Sequence, residues 1–403
     1  MRGDSQNTKS LNQGQATINR HGKVAGMKSF APILKRLEAV PDPRRAEGKR
    51  YALVPILLFS ILAIVTGANS YRGIETFIAV HRKRLNKAFG LRWRQAPAHT
   101  SIRSILIGLA PSDVEAAFRA YAADLDGGAQ KTGSQGPGRV LAIDGKTLRG
   151  SFDAFHDSAA KQVLSAFAAD TMLILAHIEI DAKSNEIPAA QQLLAELDVA
   201  GRIVTLDALH AQKTFEAASA KGIHLIVQLK ANQKSLCRQV RTGVATTAPL
   251  SQCETEDADR RNRHETRTVT VFDASNIIAS TDWCSLIAAV IRVERRVLAF
   301  NPATGQWKTT RETSFYLSNK SIDAELAGKA IRDHWRIENS NHHLRDVTLD
   351  EDRSRIRTNP GIFARLRSFA ANILRFNQKR SIRQDRYANA LGGLSHIGRL
   401  AYR

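Results

Sequence analysis

The chain has 403 residues, enough for two or three domains with a sizeable core. Lysine and arginine number 59 against 38 acidic residues, a formal net charge of +21, and a chain this basic most often meets a polyanion, with nucleic acid the leading candidate. Its three cysteines, Cys237, Cys253 and Cys284, are odd in number and far apart. They indicate neither a disulfide framework nor a cysteine zinc site and fit a reducing cytoplasm, and the polar N-terminus has no secretory apolar core.

Residues 1–27 are polar and read as a disordered basic arm. Residues 28–125 read as a helical domain. Within it, residues 52–68 form an apolar run at the short end for a membrane span. Pro55 suits the first turn of a helix and Gly67 its end, and no second span is present, so a buried helix is expected and no membrane partner. Residues 71–89 carry apolar positions at helical spacing, and Pro111 with Ser112 and Asp113 opens another helix. Residues 126–138 are glycine-rich and predict a linker.

The pattern then changes. Strands are predicted at 140–143, 162–167, 172–180, 203–206 and 224–229, with helices at 188–198, opened by Pro188, and 211–221, stopped by Gly222. This β-β-β-α-β-α-β order is an α/β mixed sheet with covering helices. Residues 232–313 read as a β-rich insertion. They hold the alternation Thr266 to Val271, an apolar run at 286–293 and a turn at 301–305 before Trp307. Residues 316–318 return to the main domain, which runs over 139–378. A helix is predicted over 323–345, the remainder reads as helical and basic, and 379–403 as a basic tail.

Two of the strands end in a carboxylate. Asp144 closes an apolar run in 139–150, and Asp207 does the same in 202–208. Side by side they repel and each tends to protonate; a divalent cation between them removes the conflict. On the helix 323–345, Ile331, Trp335, Glu338, Asn341 or His342, and Arg345 follow three- and four-residue steps and share a face. Glu338 is placed toward the sheet, where a carboxylate needs a cation or a hydrogen-bond partner. A metal shared by Asp144, Asp207 and Glu338 satisfies all three. His334, Glu338 and His342 also have a spacing that could bind zinc, with no further ligand cluster beside them. Trp335 is expected in the core.

Ala142-Ile143-Asp144-Gly145-Lys146, residues 207–213 (Asp-Ala-Leu-His-Ala-Gln-Lys), residues 228–233 (Gln-Leu-Lys-Ala-Asn-Gln) and His334-Trp335-Arg336-Ile337-Glu338-Asn339, followed by Asp346-Val347 and Glu351-Asp352, carry a family resemblance. So do Asp42-Pro43-Arg44 and Gly48-Lys49-Arg50-Tyr51. The chain resembles the DDE insertion-sequence transposases that include the H-repeat-associated proteins, over roughly residues 28–378. The resemblance implies a ribonuclease-H-like fold with a helical associated domain at 28–125. The family usually has Leu-His-Trp where this chain has Asn341-His342-His343, and an apolar residue where it has Arg345. These departures lie on the helix that must carry Glu338.

By that resemblance the chain cuts at transposon terminal inverted repeats and joins the ends to target DNA. Two Mg²⁺ ions, or Mn²⁺ in their place, would be held with Asp144 bridging both and Asp207 and Glu338 each completing one. The implied partner is double-stranded DNA, both transposon end and target, with the protein a homodimer when assembled on it, in the bacterial cytoplasm at the nucleoid. Candidate DNA contacts are Lys146, Arg149, His210, Lys213, His334, Arg345, Arg353, Arg355 and Arg357. For Lys146, Arg149 and Arg345 a merely solvated position is the alternative, and for His210 a structural one. Residues 353–386 hold ten basic residues against Asp385 and predict a DNA-backbone surface with salt-sensitive affinity. The altered triplet supports a second reading, a catalytically decayed transposase that only binds DNA; a metal-dependent nuclease of another kind is a third.

Overall fold

A computed structural model describes residues 28–130, 138–152, 159–180, 186–199, 201–207, 212–230, 232–260, 262–279 and 281–403. Five helices come first: α1 (Ala31–Leu37), α2 (Leu53–Val65), α3 (Tyr71–Phe89), α4 (His99–Ile107) and α5 (Pro111–Gln130). Pro55 sits in the first turn of α2, where its missing N–H costs nothing. The stretch 46–65 is long and apolar enough to cross a membrane. Here every residue of α2 except Val54 is buried within the protein, as the apolar run predicts. Ser70 caps α3 by accepting from the Gly73 N–H, and Gly90, at φ +63°, ends it in the left-handed conformation that favours glycine.

Nine strands form one mixed sheet: β1 (Arg139–Thr147), β2 (Gln162–Ala168), β3 (Leu173–Ile180), β4 (Arg202–Leu206), β5 (His224–Leu229), β6 (Ser251–Arg260), β7 (Arg263–Asp273), β8 (Ala289–Asn301) and β9 (Gln306–Ser318). Their order is β3-β2-β1-β4-β5-β9-β8-β7-β6. β1 is antiparallel to β2 and parallel to β4, β4 is parallel to β5, and β9 is antiparallel to β5. Alternate residues of β1 serve opposite faces. Leu141 and Ile143 pack toward α6 (Glu186–Glu196), α7 (Gln212–Ala220), α8 (Lys234–Thr246) and α9 (Ser275–Ile278). Val140 joins the core under α10 (Ala324–His334), and Ala142 the core of the helical region with α11 (Pro360–Phe376) and α12 (Ile382–Ile397).

Three sequence expectations are revised. α5 carries on through residues 126–130, so the expected linker begins as helix. Buried Asp126 takes ion pairs from Arg139 and Arg202, which tie the helix end to the sheet. Residues 131–137 lie outside the described residues. The expected β-rich insertion opens with a 13-residue helix, α8, and its strands extend the main sheet through the β5–β9 pairing. The expected tail is the helix α12, begun by a Ser381–Gln384 capping box, and Leu394, Ile397 and Tyr402 complete the core around α2 and α3.

A buried charge network joins the helical region to the sheet. Glu115 on α5 accepts from the His177 N–H of β3 at 2.6 Å and from Arg365 Nε of α11 at 2.8 Å. Arg365 also reaches Glu179 at 2.5 Å. Burial pushes the Glu115 carboxyl up, but His177 and Arg365 outweigh it and hold it down at about 2. A carboxyl lowered in the fold contributes stability above its unfolded pKa near 4.5 and loses it as pH falls toward 2. Arg365→Met should therefore cost about 3–5 kcal/mol at pH 7, because Glu115 keeps a buried charge. In denaturant titrations the gap from wild type should narrow between pH 4.5 and 2; a gap independent of pH would place the loss elsewhere.

Candidate active site

Ile143 and Leu206 are register partners on the parallel strands β1 and β4. Asp144 and Asp207 each follow by one residue, where the β1–β4 pairing stops, and address the same face of the sheet. Asp207 stands just past the end of β4, but Asp144 is inside β1, which runs on to Thr147 against β2, so Asp144 does not close its strand as the sequence suggested. That face is the one under α10, where Thr205 Oγ1 meets His334 Nδ1 at 2.9 Å. Burial, together with the charges of Glu338, Asp207 and Glu186, drives the Asp144 carboxyl up to about 7, against a lowering contribution from the Gly145 N–H. The three acids named from the sequence are therefore in one electrostatic field, and Glu186 is a fourth.

Cationic and imidazole groups take part. Lys230, just beyond β5, pairs with Asp207 at 2.5 Å. His342 Nδ1 lies 3.6 Å from Asp144 Oδ2. Burial, with Lys146 and Arg345 nearby, pulls His342 down to about 3, so it stands there as a neutral ring. Burial likewise lowers His334 to about 4.

Glu338 does not arrive on a continuous helix. α10 ends at His334, and two π-helical segments follow, Ile337–His342 and Leu344–Thr348. The wider π turn rotates the side chains away from the predicted common face. Ile331, Asn341 and Arg345 are buried, whereas Trp335, expected in the core, and Glu338, expected toward the sheet, are exposed. His334 and His342 still act on each other electrostatically, whereas Glu338 between them is exposed. Glu338 is exposed to solvent and acts on Asp144 electrostatically.

The comparisons with known proteins bear on this arrangement of acids. Residues 135–373 match the family model described as Transposase DDE domain, and residues 34–122 the one described as DDE_Tnp_1-associated. The chain belongs to the DDE transposase family. It is 30% identical over 354 residues to the H repeat-associated putative transposase YhhI of Escherichia coli, covering 85% of this chain and 90% of that one. Putative protein YbfL of the same species matches at the same identity and coverage. The H repeat-associated putative transposase YbfD is 32% identical over 205 residues, 51% of this chain and 78% of that protein. Among solved structures the chain is similar to a piggyBac transposase synaptic complex with hairpin DNA, at 10% identity and a TM-score of 0.42, over 96% of this chain and 84% of that one.

In this transposase several residues expected at DNA have other partners. Lys146 is buried and pairs with Asp346 and Asp352. Arg345 is fully buried and makes a bidentate pair with Glu351 at 2.7 and 2.9 Å, which is why an arginine is accommodated at a position usually apolar. His334 is held by Thr205 under the sheet. Arg149, Lys213, Arg353, Arg355 and Arg357 are exposed, and His210 lies outside the described residues. The ten basic residues of 353–386 divide: Arg365 and Arg367 are buried, and Arg386 donates to the carbonyls of Ile64, Ala68 and Thr348. Residues 351–359 precede α11 and are not helical. Sequence reasoning misses two members of the site, Lys230 and Glu186. Lys230 lies within the motif 228–233 and could have been found there, but Glu186 carries no local signal.

Among the described residues no three histidine, cysteine, aspartate or glutamate side chains stand in ligating geometry as they are. Asp207 is engaged by Lys230 and Asp144 is faced by His342. The donors are nevertheless carboxylate oxygens that repel one another, a set that suits a hard divalent cation. Asp144 has a folded pKa raised above its unfolded value near 3.8, so it costs stability as pH rises from there through 7. Asp144→Asn should stabilise the chelator-treated protein by roughly 2–4 kcal/mol above pH 7.5 and leave it unchanged near pH 3.5. Urea unfolding at both pH values checks this; equal stability at the higher pH would show that the acids do not strain the fold.

Proposed function

We propose that this transposase cuts DNA at the terminal inverted repeats of its element and joins the freed ends to target DNA, with Asp144, Asp207 and Glu338 as the metal-holding acids. The observation that carries the reading is the placement of Asp144 and Asp207 one residue beyond paired positions on adjacent parallel strands, with Glu338 in the same field. The sheet order supports a ribonuclease-H-like core made of β1 to β5, on which β6 to β9 are an edge extension.

Mg²⁺ or Mn²⁺ bound by these acids would activate the attacking hydroxyl and stabilise the leaving oxygen in an in-line phosphoryl displacement. Asp144, Asp207 and Glu338 would be the residues that hold the ions, with Asp144 the most buried of the three. Lys230 neutralises Asp207 until then and is afterwards free for a phosphate oxygen. Lys146 and Arg345 act as positioning residues: they fix Asp346 and Glu351, between which the π-helical segment ends. Arg149, Lys213, Arg353, Arg355 and Arg357 contact the DNA backbone. A cavity of about 810 Å³ is lined by Asp346, Arg353, Arg383 and Tyr387. Pairing of two DNA ends calls for a homodimer on DNA.

With purified protein and DNA bearing the inverted repeats, Asp207→Ala should abolish Mg²⁺- or Mn²⁺-dependent cleavage and leave DNA binding within about twofold. Cleavage that survives the substitution would disprove the site assignment. Replacing Arg353, Arg355 and Arg357 together by serine should reduce the slope of log affinity against log salt by about 2–3, because up to three phosphates are then no longer neutralised. An unaltered slope would move the DNA path off this segment.

A further inference from the structure

We infer that the outer end of the sheet extension is a binding surface for single-stranded DNA, with Trp307 as a stacking platform and Arg296 and Arg311 as phosphate contacts. The surface is separate from the acids and independent of any metal they hold; it rests on the reading of DNA as the partner.

Strand register builds the surface. The pairing of β5 with β9 stops at Leu229 and Phe315. From there β9 runs outward to Gln306, paired with β8 along its whole length. At about 3.4 Å per residue the extension projects about 30 Å past the end of β5, the end at which Lys230 pairs with Asp207. Antiparallel partners share a face, so Arg296–Arg311, Leu298–Thr309 and Phe300–Trp307 are successive rungs of one face. Further in, α8 covers this face as far as Glu294 and Thr313. On the outer rungs Arg296, Arg311, Thr309 and Trp307 are exposed, and Leu298 and Phe300 are half-buried. This is the side of the sheet away from α10 and the acids.

Two features of the open face point to the same ligand. Trp307 is 51% exposed, and its ring is held by Phe300 and His264 at centroid distances of 5.4 and 6.4 Å. The indole is thus fixed in place with aromatic surface left in water. Arg296 and Arg311 stand directly opposite one another, a like-charge pair that destabilises a sheet unless something answers it. The acids beside them, Glu294 and Glu312, pair with Arg292 and Arg295. Among the described residues neither Arg296 nor Arg311 has an ion pair or a side-chain hydrogen bond. Glu256, on the same row, lies two strands from Arg296, about 10 Å away. Two uncompensated guanidiniums beside an exposed, braced indole fit a ligand that carries both phosphates and flat π surfaces. An unpaired strand offers both at once, whereas a duplex keeps its base faces stacked inside.

The test titrates fluorescein-labelled oligo(dT) with the full-length protein, reading anisotropy and intrinsic tryptophan emission together. Trp307→Ala should weaken binding about tenfold and Trp307→Phe by less than about threefold, because stacking needs an aromatic ring and not the indole N–H. Binding should quench tryptophan emission in the wild type and quench it less in Trp307→Phe. Arg296→Ser with Arg311→Ser should lower the slope of log affinity against log salt by about 1.4, the loss of two phosphate contacts on a single strand. Exposed Lys308 lies on the other face of β9, and Lys308→Ser should bind as wild type. Thermal melts of the variants should match the wild type; if Trp307→Ala melts lower, Trp307→Phe decides through its quench. Wild-type affinity in Trp307→Ala, an equal loss in Lys308→Ser, or a full quench in Trp307→Phe would overturn the inference. Wild-type protein that binds duplex DNA bearing the inverted repeats but not oligo(dT) would overturn it too and leave the proposed function standing. If the wild type binds neither, the reading of DNA as partner fails and the inference with it.

Discussion

The repulsion between carboxylates on two neighbouring parallel strands, where their pairing stops, is the constraint around which the sheet half of this protein is arranged. Parallel pairing puts Asp144 and Asp207 level with each other, and the hydrophobic strands that precede them leave neither room to retreat. The surroundings answer with one cation and one polar neutral ring, each brought by another element. Lys230 comes from the end of β5, and the neutral His342 from the π-helical segment. The arrangement tolerates the acids without neutralising them fully, which is the condition for a centre that takes up cations.

The second dependency is the path of the chain after α10. An ordinary helix from 324 to 345 would have set Glu338 and Arg345 on one face. Two π-helical segments rotate Glu338 outward and Arg345 inward, and the buried Arg345–Glu351 pair, with Arg367 Nη1 3.7 Å from Glu351, fixes the result. Such an ion pair is expensive to desolvate and contributes modestly to net stability. Its value is geometric: once Arg345 is anchored, the segment that bears Glu338 and His342 has one position relative to β1.

Much of this is legible in the amino-acid sequence. The strand 224–229 has the bounds expected from its apolar run, and Asp207 follows the end of its strand as expected, whereas β1 continues through Gly145 to Thr147 because its pairing with β2 outlasts its pairing with β4. The buried α2 follows from apolar length and a proline in the first turn. What is illegible depends on non-local partners. Arg345 and Lys146 look like free cations in sequence, because Glu351 and Asp346 become their partners only after the chain rewinds. Periodicity assumes 3.6 residues per turn, so a π segment displaces the face assignments within and after it, Glu338 included, while Trp335 is the residue at which α10 itself ends. α8 is hidden inside a segment dominated by alternating strands, and Glu186 stands alone with no spacing to betray it.

The helical core has a consequence for how this protein comes into being. α2 is covered by α11 and α12, which are synthesised some three hundred residues later. A growing chain therefore carries its most apolar helix without its native cover until α11 and α12 have been made. Contacts of such long sequence separation are slow to form and leave sticky surface open in the meantime. The two regions recognised as separate families are consequently not separable modules of folding: cutting the chain between them leaves one piece with an uncovered helix and the other without the helices on which α11 rests.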